Sequence, residues 1–213
     1  MGSPESEPER LSYEQQHEVT LTRGFWMLET EVTQALWESV TGENPMTADS
    51  LKGPRKPVGN VSWEDCQEFI AKLNSLGIAP AGLKFRLPTE AEWEYACRAG
   101  TSGPYAGSSL DTMGWYGNNS GGDNYEVGKK APNAWGLYDM HGNVWEWCSD
   151  WFDFATYDAA SQTDPTGPSS GSLRVLRGGG WFNVARRCRS AYRSHIVPTR
   201  RYNDNGFRLV LGR

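Results

Sequence analysis

Four cysteines, three histidines and a C-terminal crowd of arginines and aromatics carry most of the chemistry available to this 213-residue sequence. Cys66, Cys97, Cys148 and Cys188 contain no C-x-x-C pair and have no histidine close by in sequence, so the spacing of zinc ligands is absent. Cys66 and Cys97 fall in helical patterns, where a free buried thiol is the simpler reading. Cys188 differs, because Arg186, Arg187 and Arg189 surround it and cations of that kind depress a thiol's pKa. No base stands beside it in sequence, as a thiolate nucleophile requires. It lies in "RVLRGGGWFNVARRCRSAYRSHIVPTRRYNDNGFRLVLGR", residues 174–213, whose ends read as framework and whose middle is rich in groups that make contacts. That middle is either a catalytic centre with one thiol or a surface that grips a ligand.

Either use needs a body that holds the stretch still. The length suits a single loop-rich domain over 1–213. Hydrophobic residues are only 38% of the chain, but 10 Trp, 9 Tyr and 7 Phe supply enough area for a core if they point inward. The 24 Gly and 12 Pro argue for many turns over long regular elements. No run of 18 apolar residues is present, so direct membrane insertion is not expected. "MGSPESEPER" is polar and carries no secretory h-region, which leaves localisation open; cell-surface or phage display would follow from a trimmed leader. A net charge of -5 disfavours nucleic acid as a partner. The charge is uneven: residues 182–213 hold eight Arg against one acid, Asp204, while the acids sit upstream.

Three helices are legible. "TEVTQALWESVTG" has Thr30 or Thr33 as cap and Gly42 as stop. "SWEDCQEFIAKLNSLG" is capped by Ser62, puts Trp63, Cys66, Phe69, Ile70 and Leu73 on one face, and stops at Gly77. "LPTEAEWEYACRAG" has Thr89 as cap, Glu92 at the capping-box position and Gly100 at its end. Strands are expected over 17–28 and around 144–148, 173–178 and 206–211. The rest reads as long ordered loops threaded with tryptophan, giving an α+β domain.

Taken in order, "EVTQALWESV", "PVGNVSWEDCQEFI", "FRLPTEAEWEYACRAG", "PNAWGLYDMHGNVWEWCSDW", "RVLRGGGW" and "GFRLVL" resemble the formylglycine-generating enzyme (sulfatase-modifying factor) domain family across almost the whole chain. The resemblance implies a variant of the C-type lectin fold, with a few helices around small antiparallel sheets and long ordered loops. Enzymes of that family oxidise a substrate cysteine with two cysteines of their own. Asn183 stands at the first of those positions. Cys188 meets the second by counting forward, but falls on a non-catalytic position when aligned from the arginine-rich strand. One cysteine cannot supply the pair. The resemblance also implies a Ca²⁺ site formed by Asp139, the carbonyls of Gly142 and Val144, and Glu146, a set of oxygens that suits a hard cation. The competing reading is a tight turn that sends Trp145 and Trp147 into the core while Glu146 bonds backbone amides.

Absences in the C-terminal stretch are as informative. Lys, Glu, Gln, Met and Trp together make up 42 of residues 1–181 and none of residues 182–213. Blanks in 32 places at that background arise by chance on the order of once in several thousand. None of the five types has a codon ending in a pyrimidine. Phe, Val, Arg, Tyr, Ser, His, Ile and Asp are all reachable from an Asn codon by changing its adenines. Adenine-specific mutagenesis of Asn codons is the mark of diversity-generating retroelements, whose target proteins include members of this family, and the sequence resembles one of those variable proteins. The variable positions are then Phe182, Asn183, Val184, Arg187, Tyr192, Ser194, His195, Ile196, Val197, Thr199, Arg200, Tyr202, Asn203, Asp204 and Asn205. Arg186, Arg189, Ser190, Ala191, Arg193, Pro198, Gly206, Phe207 and Arg208 are scaffold.

The leading expectation is a non-enzymatic binding protein for a protein or surface-glycan ligand, with no cofactor required and Ca²⁺ as the one candidate. Tyr, Ser, His and Asn are the palette of antibody-like surfaces, and Arg adds planar donors. A cysteine-dependent oxidase and an accessory domain with a fixed partner are the competing readings. Oligomeric state is left open.

Overall fold

The computed structural model describes residues 1–155 and 160–213. Two short strands come first, β1 (Val19–Thr20) and β2 (Trp26–Met27), followed by helix α1 (Gln34–Thr41). Helix α2 (Trp63–Ser75), strand β3 (Lys84–Arg86), helix α3 (Glu90–Arg98) and the short helix α4 (Leu110–Met113) succeed them. The C-terminal half is β4 (Trp145–Trp151), β5 (Gln162–Thr163), β6 (Arg174–Arg177), β7 (Ser194–Ile196), β8 (Asn205–Gly206) and β9 (Val210–Gly212). A 3₁₀ turn at Ala185–Cys188 precedes β7.

The helix ends obey their sequence signals. Thr33 accepts from the Leu36 N–H and Gly42 ends α1 in the left-handed region. Ser62 with Asp65, and Thr89 with Glu92, form complete capping boxes. The strands obey less well. The expected strand over 17–28 breaks into β1 and β2, which pair with different partners, β5 and β9. The expected 206–211 strand splits as well, because Asn205 and Gly206 pair with β4 while Val210 to Gly212 join β2 and β3.

The largest sheet has the order β7-β6-β4-β8, and a smaller one has β2-β9-β3. Trp147 lies opposite Leu176 across β4 and β6, and Val175 lies opposite His195 across β6 and β7. One core packs the α2 face (Cys66, Phe69, Ile70, Leu73) on Trp37, Trp147, Leu176 and Phe207. Trp37 and Phe69 stack with ring centroids 5.0 Å apart, and Phe207 meets Phe69 edge-on at 5.5 Å. Each such side chain contributes about 1.5–3 kcal/mol by leaving water. A second core gathers Trp93, Met140, Cys148, Phe152 and Val175.

A set of buried ion pairs accounts for part of the uneven charge. Arg189 donates to Glu7 and Glu14 at 2.5–2.8 Å, across 182 and 175 residues of chain. Arg193 forks onto Glu90 at 2.6 and 2.9 Å. Arg177 binds Glu94, and Arg208 forks onto Glu146 at 2.6 and 2.7 Å. All nine of these groups except Glu7 are no more than 2% exposed. Part of the upstream acidic and downstream basic charge is therefore paired inside the fold, in separate buried clusters.

Candidate functional site

The C-terminal stretch is fastened by its backbone and by its scaffold side chains. The turn after β6 needs left-handed glycines: Gly178 has φ 92° and Gly179 φ 77°, and a Cβ on Gly179 would lie 2.6 Å from the Cys188 sulfur. Asn183 closes the turn, accepting the Gly180 N–H at 2.9 Å while its own carbonyl accepts the Gly117 N–H at 2.8 Å. Trp181 donates its N–H to the Asn143 carbonyl at 2.7 Å. Further on, Arg177 donates to the carbonyls of Ser190, Ala191 and Tyr192. Trp63 N–H holds the Pro198 carbonyl at 2.9 Å, Asn60 N–H the Tyr202 carbonyl at 2.8 Å, and Trp145 N–H the Asp204 carbonyl at 2.7 Å. The bonds to the backbone carbonyls survive a change of side chain at the residues they hold, whereas the Gly180 bond to the Asn183 side chain does not.

The side chains between those anchors turn outward. Phe182 is 62% exposed, Val184 55%, Tyr202 51% and Val197 38%, and Thr199 and Arg200 are exposed as well. Arg187, Ser194, Ile196, Asn203 and Asp204 are half-buried. Asp204 joins the two exposed segments, since it packs against Gly180 and lies near Arg187, and burial raises its carboxyl above the usual range. Tyr192 and Ile196 rest on the first core, Tyr192 with its ring 6.0 Å from that of Trp145.

Three placements correct the sequence reading. Asn183 and Asn205 are 4% and 2% exposed, so neither presents a side chain to a ligand. His195 points to the other face of its sheet, stacked 4.1 Å from Phe152 and edge-on to Phe154, because side chains alternate along β7. Arg186, read as scaffold, is exposed. The other scaffold arginines, Arg189, Arg193 and Arg208, are buried, together with Ser190, Ala191, Gly206 and Phe207, while Pro198 is half-buried. Replacing Asn183 with Ala strands the Gly180 N–H and is expected to cost about 1–3 kcal/mol; a midpoint of chemical denaturation equal to that of the wild type would contradict this role.

The cysteines are shielded from solvent. All four are free and buried. Burial pushes the Cys188 thiol up to about 12, despite the three arginines beside it in sequence. Cys97 does have a histidine neighbour, which sequence spacing missed: its sulfur lies 3.8 Å from His141 Nε2. Burial raises that thiol to about 12 as well and lowers His141 to about 4, so the pair is neutral. Ellman's reagent at pH 8 is therefore expected to titrate less than about one thiol per native chain and all four after denaturation. Rapid native reaction at Cys188 would contradict its burial.

Asp139 and Glu146, the two carboxylates of the expected Ca²⁺ site, both meet protein partners in this arrangement. Both Glu146 oxygens are engaged by Arg208, and one also accepts from Trp93 Nε1 at 2.7 Å. A cation there would face the guanidinium. Trp145 and Trp147 do enter the core, as the competing turn reading requires, but Glu146 bonds the Arg208 and Trp93 side chains and not backbone amides. Asp139 accepts the Gly128 N–H at 2.7 Å, and burial, with the Glu146 charge nearby, raises its carboxyl to about 6.

Clefts lie elsewhere: those around Leu21 to Gly24, around Tyr95 and Trp135, and around Thr166 include no residue of 182–205. No helix among the described residues is long and apolar enough to cross a membrane.

Comparison with known proteins matches residues 1–212 to the model of the sulfatase-modifying factor enzyme 1-like domain. The formylglycine-generating enzyme of Streptomyces coelicolor is 38% identical over 182 residues, covering 76% of this chain and 55% of the relative. The chain thus spans about half the length of the curated relatives it matches first. Among solved structures, variable protein 1 of Treponema denticola superposes with a TM-score of 0.86 at 35% identity, over 99% of this chain and 92% of that one. PvdO from Pseudomonas aeruginosa superposes at 0.87 with 29% identity, over 100% and 90%.

Proposed function

Starting from the fact that the chain belongs to the sulfatase-modifying factor enzyme 1-like domain family, we propose that it is a non-enzymatic binding protein whose C-terminal surface is diversified by a retroelement. Its fold is the C-type lectin-like α+β arrangement of that family, shared with variable protein 1 of Treponema denticola. One observation carries the reading. Within 182–205 the residues read as scaffold hold the structure mostly with buried side chains, while most positions read as variable are held through their backbone. Such a surface can change its chemistry without changing its shape. Its rigidity limits the entropy lost on binding, and its exposed Phe, Tyr and Arg are the types that anchor protein interfaces. The ligand is a protein engaged by Phe182, Val184, Thr199, Arg200 and Tyr202, with Arg187 and Asp204 between them. No cofactor, nucleic acid or membrane contact enters this reading.

A second reading is favoured by the 38% identity to a formylglycine-generating enzyme: a cysteine-dependent oxidase. It requires a pair of reactive thiols, and Asn183 stands where the first would be. The DNA beside the gene tests the choice. A near-copy of the 3′ coding segment that differs only at adenines, close to a reverse-transcriptase gene, is the expected result. Its absence, together with oxidation of a cysteine-containing peptide by the protein and loss of that oxidation in Cys188→Ser, would establish the enzyme instead.

A further inference from the structure

The six arginines of 182–205 fall into two groups. Arg189 and Arg193 are buried on Glu7, Glu14 and Glu90, and Arg201 forks onto Asp65 with two bonds of 2.6 Å. Arg186, Arg187 and Arg200 form no ion pair among the described residues. Arg186 and Arg200 are exposed, and Arg187 is half-buried. The one acid of the stretch, Asp204, is half-buried and lies near Arg187. Three cations against one carboxylate leave this surface at +2, so the rest of the chain carries -7 within a net charge of -5. The protein is therefore polarised, and it is positive where the contact residues stand.

The backbone fixes where these cations stand. Arg186 and Arg187 lie in the 3₁₀ turn Ala185–Cys188, where the Arg187 N–H donates to the Val184 carbonyl at 3.0 Å. The Arg200 N–H closes a turn onto the Val197 carbonyl at 3.1 Å. Arg186 is the informative member. Its position reads as scaffold, yet its side chain meets solvent and bonds to no group among the described residues. A constant guanidinium without a structural partner is available to a ligand, and its planar fork fits a carboxylate. On the same segments Phe182 and Tyr202 are 62% and 51% exposed. Covering them favours an apolar partner, whereas a dense run of sulfates or phosphates would press hydrated charge against the Phe182 ring. Protein surfaces bring carboxylates and apolar side chains together. A basic partner is rejected at the same time, because it would face guanidinium groups that nothing neutralises.

We propose that the partner of this surface is an acidic protein face, whose carboxylates meet Arg186, Arg187 and Arg200 and whose apolar side chains meet Phe182 and Tyr202. This rests on the binding reading above and adds the chemistry of the partner. The test displays a small three-helix domain, randomised to all residue types on one face, and selects it against the intact protein. Clones that lose binding to Phe182→Ala or Tyr202→Ala are the ones that use this surface. Those clones should be enriched in Asp and Glu about twofold or more over the unselected library. Their association rate should fall about tenfold or more as NaCl rises to about 0.5 M. Arg186→Glu and Arg200→Glu should each weaken them about tenfold or more. Arg23→Glu makes the same change in net charge at an exposed arginine outside the stretch and should leave them unchanged. All the substituted residues are exposed, so thermal midpoints should stay within about 2 °C of wild type. Surface-directed clones without an excess of acid, or clones that bind Arg186→Glu and Arg200→Glu as tightly as wild type, would overturn the proposal and leave the binding reading standing. A heparin hexasaccharide that displaces every such clone and binds more tightly than any of them would overturn it too, making a sulfated glycan the occupant. If no clone responds to Phe182→Ala or Tyr202→Ala, the binding reading itself fails, and the proposal with it.

Discussion

Arg208→Ala is expected to destabilise the protein by about 3–5 kcal/mol, because it leaves a buried carboxylate without its counter-ion. The Arg208 guanidinium is fully buried, forks onto Glu146, and also donates to the carbonyls of Tyr138 and Leu28 at 3.0 and 3.2 Å. Deletion strands Glu146 with Trp93 Nε1 as its remaining partner. In a chain of this size each kcal/mol moves the thermal midpoint by about 2–4 °C, so a fall of roughly 6–20 °C is expected by calorimetry. Two controls separate the cause from a general sensitivity to losing arginine. Arg201→Ala removes a pair with Asp65 whose arginine is 53% exposed, and should cost about 0–1 kcal/mol. The double change Arg208→Met with Glu146→Leu replaces both charges by apolar groups and should recover much of the loss. An Arg208→Ala midpoint within 2 °C of wild type would refute the assignment of this pair as structural.

The second large effect is on binding and leaves stability alone. A library that varies Phe182, Val184, Thr199, Arg200 and Tyr202 over the residues reachable from an Asn codon should remain folded, since surface substitutions of this kind cost within about ±0.5 kcal/mol each. From such a library, binders to unrelated model proteins should be selectable, and returning one anchor residue of a selected binder to Ala should weaken it by roughly thirtyfold, or about 2 kcal/mol. The companion library at Asn183 and Asn205, both buried, should lose folded members. Folding would be read by protease resistance and binding by titration. If the first library unfolds as often as the second, the claim that the exposed side chains are not needed to hold their segments fails.

Local signals in the sequence were faithful wherever the cause is itself local. Thr33, Ser62 and Thr89 cap their helices because a side-chain oxygen three residues from an orphan N–H needs nothing from the rest of the fold. Strand boundaries were less legible. Two residues of the 17–28 segment pair with β5 and two with β9, and a choice of partner depends on chain 140 to 190 residues away. The same holds for charge. Sequence recorded eight arginines at one end and acids at the other, but only the fold shows Arg189 meeting Glu7 and Glu14 and Arg193 meeting Glu90 while Arg186 and Arg200 stay in solvent.

The candidate surface divides in the same way. Composition alone marked 182–205, because the absence of Lys, Glu, Gln, Met and Trp is a property of the residues and needs no coordinates. Which of those residues reach a ligand was decided by tertiary structure. Asn183 and Asn205 read like their exposed neighbours, yet one closes a turn over Gly117 and the other pairs with Trp145 inside the sheet. His195 reads like Tyr202, yet alternation along β7 sends it to the opposite face and onto Phe152. Cys188 has three arginines beside it in sequence, yet it lies beneath Gly179, where burial outweighs those charges. Residue types and their spacing determined the family, the helices and the stretch proposed to make contacts. Burial and long-range pairing determined which atoms in that stretch face solvent, because solvent access at one residue is set by everything that packs around it.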